Sequence, residues 1–254
     1  MQFKGKTALV TGAAGGIGSA VAQAFAVAGA NVVAADRSST GLTLDALRAS
    51  GAQAIGVHLD VTDPASITAM VQQAEASFGG IDILVTAAGV TGFGSAATLA
   101  ADEWDRIINI NLKGVFLTCQ AVIEPMRRRG SGRIVNIGSI LAKNGGNARP
   151  WIAPEEQLRS GSVAYGVSKA GVHAMTLYLA RELAASAITV NAVAPGPIAS
   201  AMTATFPEVL KQAIPLNRLG TADEVAAAVL FLAGPSASFI TGEILDVNGG
   251  MWAD

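Results

Sequence analysis

The chain has 254 residues, 51% of them hydrophobic and only 14% charged, and its formal net charge at pH 7 is −2. A chain of this length and composition can bury a sizeable core, as one large α/β domain or as two small ones. The nearly balanced charge offers no electrostatic basis for binding nucleic acid or an anionic membrane, so we expect neither partner. The basic run 127–129 is interpreted as the solvated C-terminus of a helix.

The single cysteine, Cys119, excludes an internal disulfide. It lies in an apolar stretch, so we predict that it packs in the core. The N-terminal residues lack the long apolar segment of a signal peptide. No apolar run approaches the ~18 residues that cross a bilayer. The sequence therefore predicts a soluble, cytoplasmic protein.

Strand-like apolar runs alternate with helical stretches along most of the chain. Continuous apolar runs are typical of strands that are buried on both faces of a parallel sheet. We predict seven strands, at residues 7–10, 31–36, 54–60, 81–85, 133–137, 188–193 and 243–247.

The segments between these strands have helical length and periodicity. We predict helices at residues 17–28, 63–78, 102–129, 162–185 and 222–233. Asp63 and Pro64 form a helix start, and Gly29 is suited to follow a helix end. Repeated strand–helix–strand units imply right-handed crossovers and a doubly wound sheet. Because no linker or repeat interrupts the pattern, we predict one α/β domain over residues 1–254.

A glycine-rich loop, Thr-Gly-Ala-Ala-Gly-Gly-Ile-Gly at residues 11–18, joins the first predicted strand to the first helix. Glycines there let the backbone turn sharply and approach a pyrophosphate, whose charge is met by amides at the helix N-terminus. Asp36 ends the next strand, where a carboxylate can accept hydrogen bonds from both hydroxyls of the adenosine ribose. This context predicts a dinucleotide-binding loop.

Tyr165 and Lys169 are four residues apart on a predicted helix and therefore share one face. Oxidation of an alcohol requires a base for the hydroxyl proton while hydride leaves the carbon. A phenol with a pKa of ~10 is a poor base at neutral pH, and a nearby cation lowers that pKa. We predict that Tyr165 is the base in oxidation and the acid in reduction, with its pKa lowered by Lys169.

The loop spacing and the Tyr-x-x-x-Lys motif resemble the short-chain dehydrogenase/reductase family over nearly the whole chain. The resemblance implies a Rossmann fold with helices on both faces of the sheet. It makes Ser139 the donor that orients the substrate oxygen and stabilises its developing charge. It makes Asn111 the residue that kinks the long helix and holds a water connecting Lys169 to solvent. Taken singly, each of these residues has an ordinary structural explanation. The presence of all four, in the order Asn111, Ser139, Tyr165 and Lys169, favours catalysis.

The resemblance also assigns the cofactor site. Asp60 and Val61 match an adenine-contacting pair, and Lys169 holds the nicotinamide ribose. Asp36 is expected to repel a 2′-phosphate, which favours NAD over NADP, although Arg37 is able to pair with that phosphate. The predicted cofactor residues are Gly12, Gly16, Ile17, Gly18, Asp36, Arg37, Asp60, Val61, Ala87, Gly89, Tyr165, Lys169, Pro195, Gly196, Ile198 and Ser200.

Residues 86–89, Thr-Ala-Ala-Gly, depart from the family's usual Asn-Asn-Ala-Gly. The backbone can still pass beside the adenosine ribose. We expect that the side-chain hydrogen bonds that usually brace the strand ends are lost, with lower local rigidity as the consequence.

An insertion at about 143–161 separates Ser139 from Tyr165 by about twice the usual spacing of the family. It leaves the carboxyl edge of the sheet, where ligands bind in doubly wound folds. Trp151 is a candidate for stacking on a sugar and Arg149 for holding an anionic group. The alternative is a surface or subunit-contact insertion. The two histidines, His58 and His173, lack metal-ligand spacing, so we expect core or surface roles and no metal site.

The favoured function is NAD-dependent hydride transfer with a sugar, polyol or other polar, possibly anionic, hydroxy compound as the substrate. One alternative is a 3-oxoacyl-thioester (acyl-carrier-protein) reductase, against which Asp36 weighs because that chemistry usually uses NADP. A second is a non-catalytic dinucleotide sensor, against which the intact Ser139, Tyr165 and Lys169 weigh. The resemblance further implies a homotetramer in which the two long helices contact symmetry mates.

Overall fold

The computed structural model describes residues 1–146, 161–200 and 208–253. Its sheet has seven strands, every neighbouring pair of which is parallel. The strands are β1 (Thr7–Thr11), β2 (Asn31–Asp36), β3 (Ala54–His58), β4 (Ile83–Thr86), β5 (Gly132–Ile137), β6 (Ile188–Pro195) and β7 (Ile244–Val247). All seven predicted strands are thereby confirmed, with ends that differ by one or two residues.

The spatial order of the strands is β3-β2-β1-β4-β5-β6-β7. The order reverses between β1 and β4, so the chain leaves these two neighbouring strands in opposite directions. A crevice forms at such a switch point outside the carboxyl ends of the strands. The topology therefore places the glycine-rich loop after β1 beside the segment that follows β4.

Helices cover both faces of the sheet. They are α1 (Gly16–Val27), α2 (Gly41–Ala49), α3 (Pro64–Phe78), α4 (Ala101–Ile108), α5 (Gly114–Arg128), α6 (Leu141–Asn144), α7 (Val163–Leu183), α8 (Glu208–Gln212) and α9 (Ala222–Ala233). On one face, Phe25 of α1 and Val229 of α9 pack against the sheet. On the other face, Met70 of α3, Val122 of α5 and Leu183 of α7 do so. The predicted doubly wound α/β architecture is confirmed.

Local sequence signals account for several helix ends. The carboxylate of Asp63 accepts a hydrogen bond from the Ala65 amide, and Pro64 starts α3, as predicted. Gly29 follows the end of α1 with a φ of 93°, the left-handed conformation that glycine adopts most readily. Helix α2 was not predicted, because its nine residues bury only Thr43 and Leu47 and so carry a weak apolar pattern.

The predicted helix 102–129 is interrupted by a π-helical turn at Asn109–Lys113 between α4 and α5. This is the distortion that the family resemblance implied at Asn111. The stretch Ala101–Arg128 is long and apolar enough to cross a membrane by length and composition, contrary to our expectation for the sequence. Its residues Val115, Cys119 and Val122 are buried in the core. The predicted core position of Cys119 is confirmed.

The basic run closes α5, as predicted, and its three arginines are exposed. Ion pairs that the sequence did not reveal hold all three. Arg127 pairs with Glu124 and Arg128 with Glu75, at 2.6 Å each. Arg129 reaches the buried carboxylate of Asp82 at 3.1 Å, which links α5 to the loop before β4.

Candidate active site

A cavity of about 1280 Å³ opens at the carboxyl edge of the sheet, beside the switch point between β1 and β4. Every residue that the sequence assigns to the cofactor lines this cavity, from Gly12 to Ser200. Ser139 lines the cavity as well, whereas Asn111 does not line it and is fully buried. The structure thus brings together predicted site residues from seven separate parts of the chain.

The glycine-rich loop packs tightly at its two ends and is open in the middle. Gly12 has a φ of 68°, and a Cβ there would lie 2.6 Å from the Ala87 backbone. A Cβ on Gly18 would collide with the carbonyl oxygen of Gly12. A Cβ on Gly15 or Gly16 would meet no atom within 4 Å, because these residues face the cavity at the start of α1. The loop therefore leaves room for an anionic group at a helix N-terminus, as a pyrophosphate requires.

Asp36 lies at the rim of the cavity, and backbone amides hold its carboxylate in place. One oxygen accepts a hydrogen bond from the Ala14 amide at 3.0 Å and the other from the Ser38 amide at 2.8 Å. Arg37 is exposed beside it. Hydrogen bonds from Thr62, with its hydroxyl as the largest contribution, lower the pKa of Asp60 across the same rim. Two carboxylates thus line the same rim of the cavity.

The expected loss of bracing at residues 86–89 is wrong. The Thr86 hydroxyl forms a 2.8 Å hydrogen bond with the side-chain oxygen of Asn136 on β5. The amide of Ala88 donates to the Thr11 hydroxyl at 3.1 Å, which ties β4 to β1. Asn136 in turn donates to the Thr176 hydroxyl of α7 at 2.9 Å. A threonine hydroxyl at the end of β4 is long enough to reach the neighbouring strand, and so replaces the missing amide side chain.

Helix α7 carries Tyr165 and Lys169 on one face, as predicted. Lys169 is buried, and its ammonium donates a 2.7 Å hydrogen bond to the carbonyl oxygen of Ile137 at the end of β5. Its Nζ lies 5.9 Å from the centroid of the Tyr165 ring. Ser139 follows β5 and hydrogen-bonds with the Tyr165 side chain. The three predicted catalytic residues therefore meet at one end of the cavity.

The pKa values of this cluster differ from our expectation. Burial raises the pKa of Tyr165, and the hydrogen bond with Ser139 offsets only part of that rise. Burial lowers the pKa of Lys169 to about 8. The predicted lowering of the Tyr165 pKa by Lys169 is not seen, because the ammonium lies over the ring and bonds to Ile137 instead of the phenol oxygen.

Asn111 lies in the π-helical turn and connects two other segments. Its side chain accepts from the Val90 amide and donates to the Val90 carbonyl, both at 2.8 Å. It also donates to the Ser168 hydroxyl at 3.2 Å. A Cβ on Gly89 would lie 3.3 Å from the Asn111 oxygen and 3.7 Å from the Lys169 nitrogen, so the glycine keeps the space between them open.

The two described ends of the 143–161 insertion are anchored beside the cavity. Lys143 pairs with Asp246 on β7 at 3.0 Å. At the other end, the Gly161 carbonyl accepts from the Gly94 amide at 2.8 Å, and the next residue, Ser162, lines the cavity. The insertion thus starts and ends near the cavity. The predicted substrate residues Arg149 and Trp151 lie outside the described residues.

One histidine is exposed and the other is buried, where the sequence predicted core or surface roles without assigning them. His58 is exposed on β3. His173 is buried on α7, and its Nε2 accepts a hydrogen bond from the Ser139 amide at 3.3 Å. Sequence reasoning missed this contact, although the position four residues after Lys169 on the same helix face was a signal for it.

Comparisons with known proteins agree with this geometry. A family model described as enoyl-(acyl carrier protein) reductase matches residues 12–252. The 3-oxoacyl-[acyl-carrier-protein] reductase FabG of Salmonella typhimurium is 42% identical over 259 residues, 99% of each chain.

Two solved structures are also similar over nearly the whole length. A short-chain type dehydrogenase/reductase from Mycobacterium marinum has a TM-score of 0.89 and 34% identity, covering 100% of this chain and 97% of its own. A protein from Agrobacterium tumefaciens, provisionally named 2-deoxy-D-gluconate 3-dehydrogenase and solved with bound NADP, has a TM-score of 0.87 and 35% identity, covering 98% and 97%. This chain belongs to the short-chain dehydrogenase/reductase family, nicotinamide-dependent oxidoreductases that act on CH–OH and keto groups.

Proposed function

We propose that this chain is an NAD(H)-dependent reductase of 3-oxoacyl thioesters, and that Ser139, Tyr165 and Lys169 carry the reaction. The observation that carries the chemistry is the convergence of these three side chains at one end of the large cavity. The observation that favours the substrate is the 42% identity, over 99% of each chain, to a 3-oxoacyl-[acyl-carrier-protein] reductase. This reverses the order of preference that the sequence alone supported.

The proposed mechanism assigns one task to each side chain. The nicotinamide, when bound, supplies the hydride for reduction of the keto carbon. The Ser139 hydroxyl donates a hydrogen bond to the substrate oxygen and stabilises the charge that develops there. The Tyr165 hydroxyl donates its proton to that oxygen, which becomes the alcohol. The Lys169 ammonium, whose Nζ lies 5.9 Å from the centroid of the Tyr165 ring, stabilises the phenolate that remains through its charge and without a direct hydrogen bond to it.

Asn111 and the loop residues support these groups in the proposal. Asn111 has no contact with the cavity, so its proposed role is to hold the segment after β4 against α7, with room for a water near Lys169. The open middle of the glycine-rich loop receives the pyrophosphate. The same cavity is lined by Asp60, Val61, Pro195, Gly196, Ile198 and Ser200, and the proposal assigns these residues to the two ends of the bound cofactor.

The preference for NAD over NADP is part of the proposal and rests on Asp36. Its carboxylate is held at the rim by two backbone amides, so it cannot easily turn away from a 2′-phosphate. Repulsion between the two charges disfavours NADP. Arg37 is exposed and has more freedom to move, and for this reason we give the fixed carboxylate the greater weight.

A sugar acid or polyol is the second candidate substrate. The structural likeness to the protein provisionally named 2-deoxy-D-gluconate 3-dehydrogenase favours it. So does the insertion, whose anchored ends lie beside the cavity and whose Trp151 and Arg149 have the chemistry to bind a polar, anionic ligand.

One panel of assays separates these functions. Acetoacetyl thioesters of coenzyme A and of acyl carrier protein are offered with NADH or NADPH, and sugar acids and polyols are offered with NAD or NADP. Thioester reduction with NADH supports the proposal, and oxidation of only the polar alcohols replaces it with the second candidate. Tight dinucleotide binding without turnover of any substrate would instead indicate a sensor. The Tyr165→Phe variant serves as the negative control for turnover.

We also propose a cytoplasmic homotetramer that consists of one domain per chain. Large apolar side chains are exposed on the outer faces of α5 and α7, among them Phe116 and Tyr178. Exposed apolar patches mark interfaces in many soluble proteins. Light scattering on the purified protein measures the mass directly, and a monomer of 25.6 kDa would contradict the assembly.

A further inference from the structure

One face of α7 contacts the end of β5 three times. Tyr165 hydrogen-bonds with the Ser139 side chain, and Lys169 donates to the Ile137 carbonyl. His173, four residues further along the helix, accepts from the Ser139 amide. Because these residues are spaced at four, they lie on the same helix face. The Ser139 hydroxyl also accepts from the Leu141 amide at 3.1 Å. Ser139 is therefore held by its hydroxyl on one side and by its backbone amide on the other.

The amide of Ser139 differs from its neighbours. The amides of Gly138 and Ile140 donate to carbonyls of β6, at 2.8 and 2.9 Å. The amide of Ser139 donates to the Nε2 atom of His173 at 3.3 Å, and β4, the strand on the other side, has already ended at Thr86. The imidazole thus replaces the strand partner that β5 lacks at this residue.

The direction of this hydrogen bond fixes the state of the ring. A backbone amide can only donate, so Nε2 must carry a lone pair, and the proton of the neutral imidazole must lie on Nδ1. The ring is also closely packed, since a Cβ on Gly138 would collide with Nε2 and would lie 2.6 Å from Cδ2. His173 is only 9% exposed. A neutral imidazole consequently packs against the backbone of residues 138–139.

We propose that His173 is a positioning residue that sets the direction of the Ser139 hydroxyl through the Ser139 backbone. The inference rests on the proposed function, in which that hydroxyl orients the substrate oxygen. The competing explanation is that His173 only satisfies a buried amide, which would stabilise the fold and leave turnover unaffected. The two explanations differ in what happens to kcat.

The first test compares three variants of α7. His173→Leu fills the same space with an apolar side chain and removes the acceptor. We expect kcat to fall by about 10- to 100-fold, because small misplacements of catalytic groups are costly. His173→Gln restores an acceptor oxygen and is expected to recover most of that loss. The control is Thr176→Val, which removes the buried hydrogen bond to Asn136 from the same helix and should lower the Tm without lowering kcat. Unchanged kcat in folded His173→Leu would overturn the proposal.

The second test asks whether His173 acts through Ser139. In a Ser139→Ala background the hydroxyl is gone, so adding His173→Leu should lower kcat by less than about twofold. Equal effects of His173→Leu with and without Ser139 would overturn the proposal. If Ser139→Ala itself leaves turnover unchanged, the proposed function fails instead, which keeps the two failures distinct.

The third test does not depend on activity. The chain has only two histidines, so histidine labelled with ¹⁵N gives two sets of NMR signals, and His58→Gln assigns them. We expect His173 to be neutral, with its proton on Nδ1. A proton on Nε2 is incompatible with the Ser139 contact and would overturn the proposal even if no substrate were known. Gly138→Ala, which puts a Cβ against Nε2, should change the His173 signals and lower kcat as His173→Leu does.

Discussion

Both edges of the sheet hold a buried charged group, but the partners of that group differ between the two edges. At the amino edge, the buried Asp82 pairs with Lys6 at 3.0 Å and Arg129 at 3.1 Å and accepts from the Thr7 amide at 2.9 Å. At the carboxyl edge, Lys169 is as deeply buried, yet no carboxylate in the described part of the chain forms an ion pair with it. Its ammonium bonds to the carbonyl of Ile137.

The difference separates a structural cluster from a candidate catalytic one. Pairing offsets the cost of removing the Asp82 charge from water, so we assign the groups around it a structural role. Burial of Lys169 is not offset in this way, and it lowers the pKa of that group to about 8, close to physiological pH. Perturbed groups of this kind cluster at functional sites. Both edges also have clefts, so a cleft alone does not distinguish them.

The largest expected effect is at the carboxyl edge. Tyr165→Phe removes the proposed proton donor, and we expect kcat to fall by about 10²- to 10⁴-fold, the usual contribution of a general acid or base. Dinucleotide binding, followed by titration of the intrinsic fluorescence, should stay within about twofold because the ring remains. A variant that turns over at the wild-type rate would refute the mechanism.

The matching change at the amino edge should affect stability and leave catalysis intact. Asp82→Asn removes the charge that holds Lys6 and Arg129, and we expect the free energy of unfolding to fall by about 2 kcal/mol. Urea denaturation measures this, and kcat of the folded fraction should equal that of the wild type. A loss of kcat without a loss of stability would mean that our assignment of the two edges is wrong.

The third prediction concerns pH. Since burial lowers the pKa of Lys169 to about 8, rising pH converts its ammonium to the neutral amine. The amine cannot stabilise the Tyr165 phenolate, so we expect kcat for ketone reduction to fall above pH 8, by about tenfold at pH 9. Asp82→Asn should show the same profile, because its charge lies at the other edge. A rate that stays flat from pH 7 to pH 10 would contradict this role of Lys169.

The smallest expected effect concerns the carboxylate at the cavity rim. Asp36→Ala removes a charge that backbone amides hold, and the ratio of kcat/KM with NADH to that with NADPH should fall by about fivefold, or ~1 kcal/mol. The conservative variant Asp36→Glu keeps the charge and serves as the control. An unchanged ratio in Asp36→Ala would show that this carboxylate does not select the cofactor.

Much of the fold and of the site was predictable from local sequence. Apolar runs marked all seven strands. The five central strands are mostly buried, which favours apolar residues along their whole length. The edge strands β3 and β7 are only partly buried but are also largely apolar. Local sequence also identified the main candidate site residues. The glycine-rich loop and Asp36 each follow or end a predicted strand, and Tyr165 and Lys169 are one helical turn apart. Helix α2 was not predicted because only two of its residues are buried, so its sequence has little apolar periodicity.

The tertiary structure alone decided what is in contact across the sheet. The Thr86 hydroxyl forms the bracing hydrogen bond that was expected of an asparagine, because β4 lies beside β5. Arg129 pairs with Asp82 because α5 ends near the loop before β4. His173 reaches Ser139 only because α7 crosses the end of β5 where β4 has already stopped. The sequence by itself determined which residues are candidates for the chemistry, since their motifs are local. Their partners and pKa values depend on burial and on distances between segments far apart in the chain, which only packing defines.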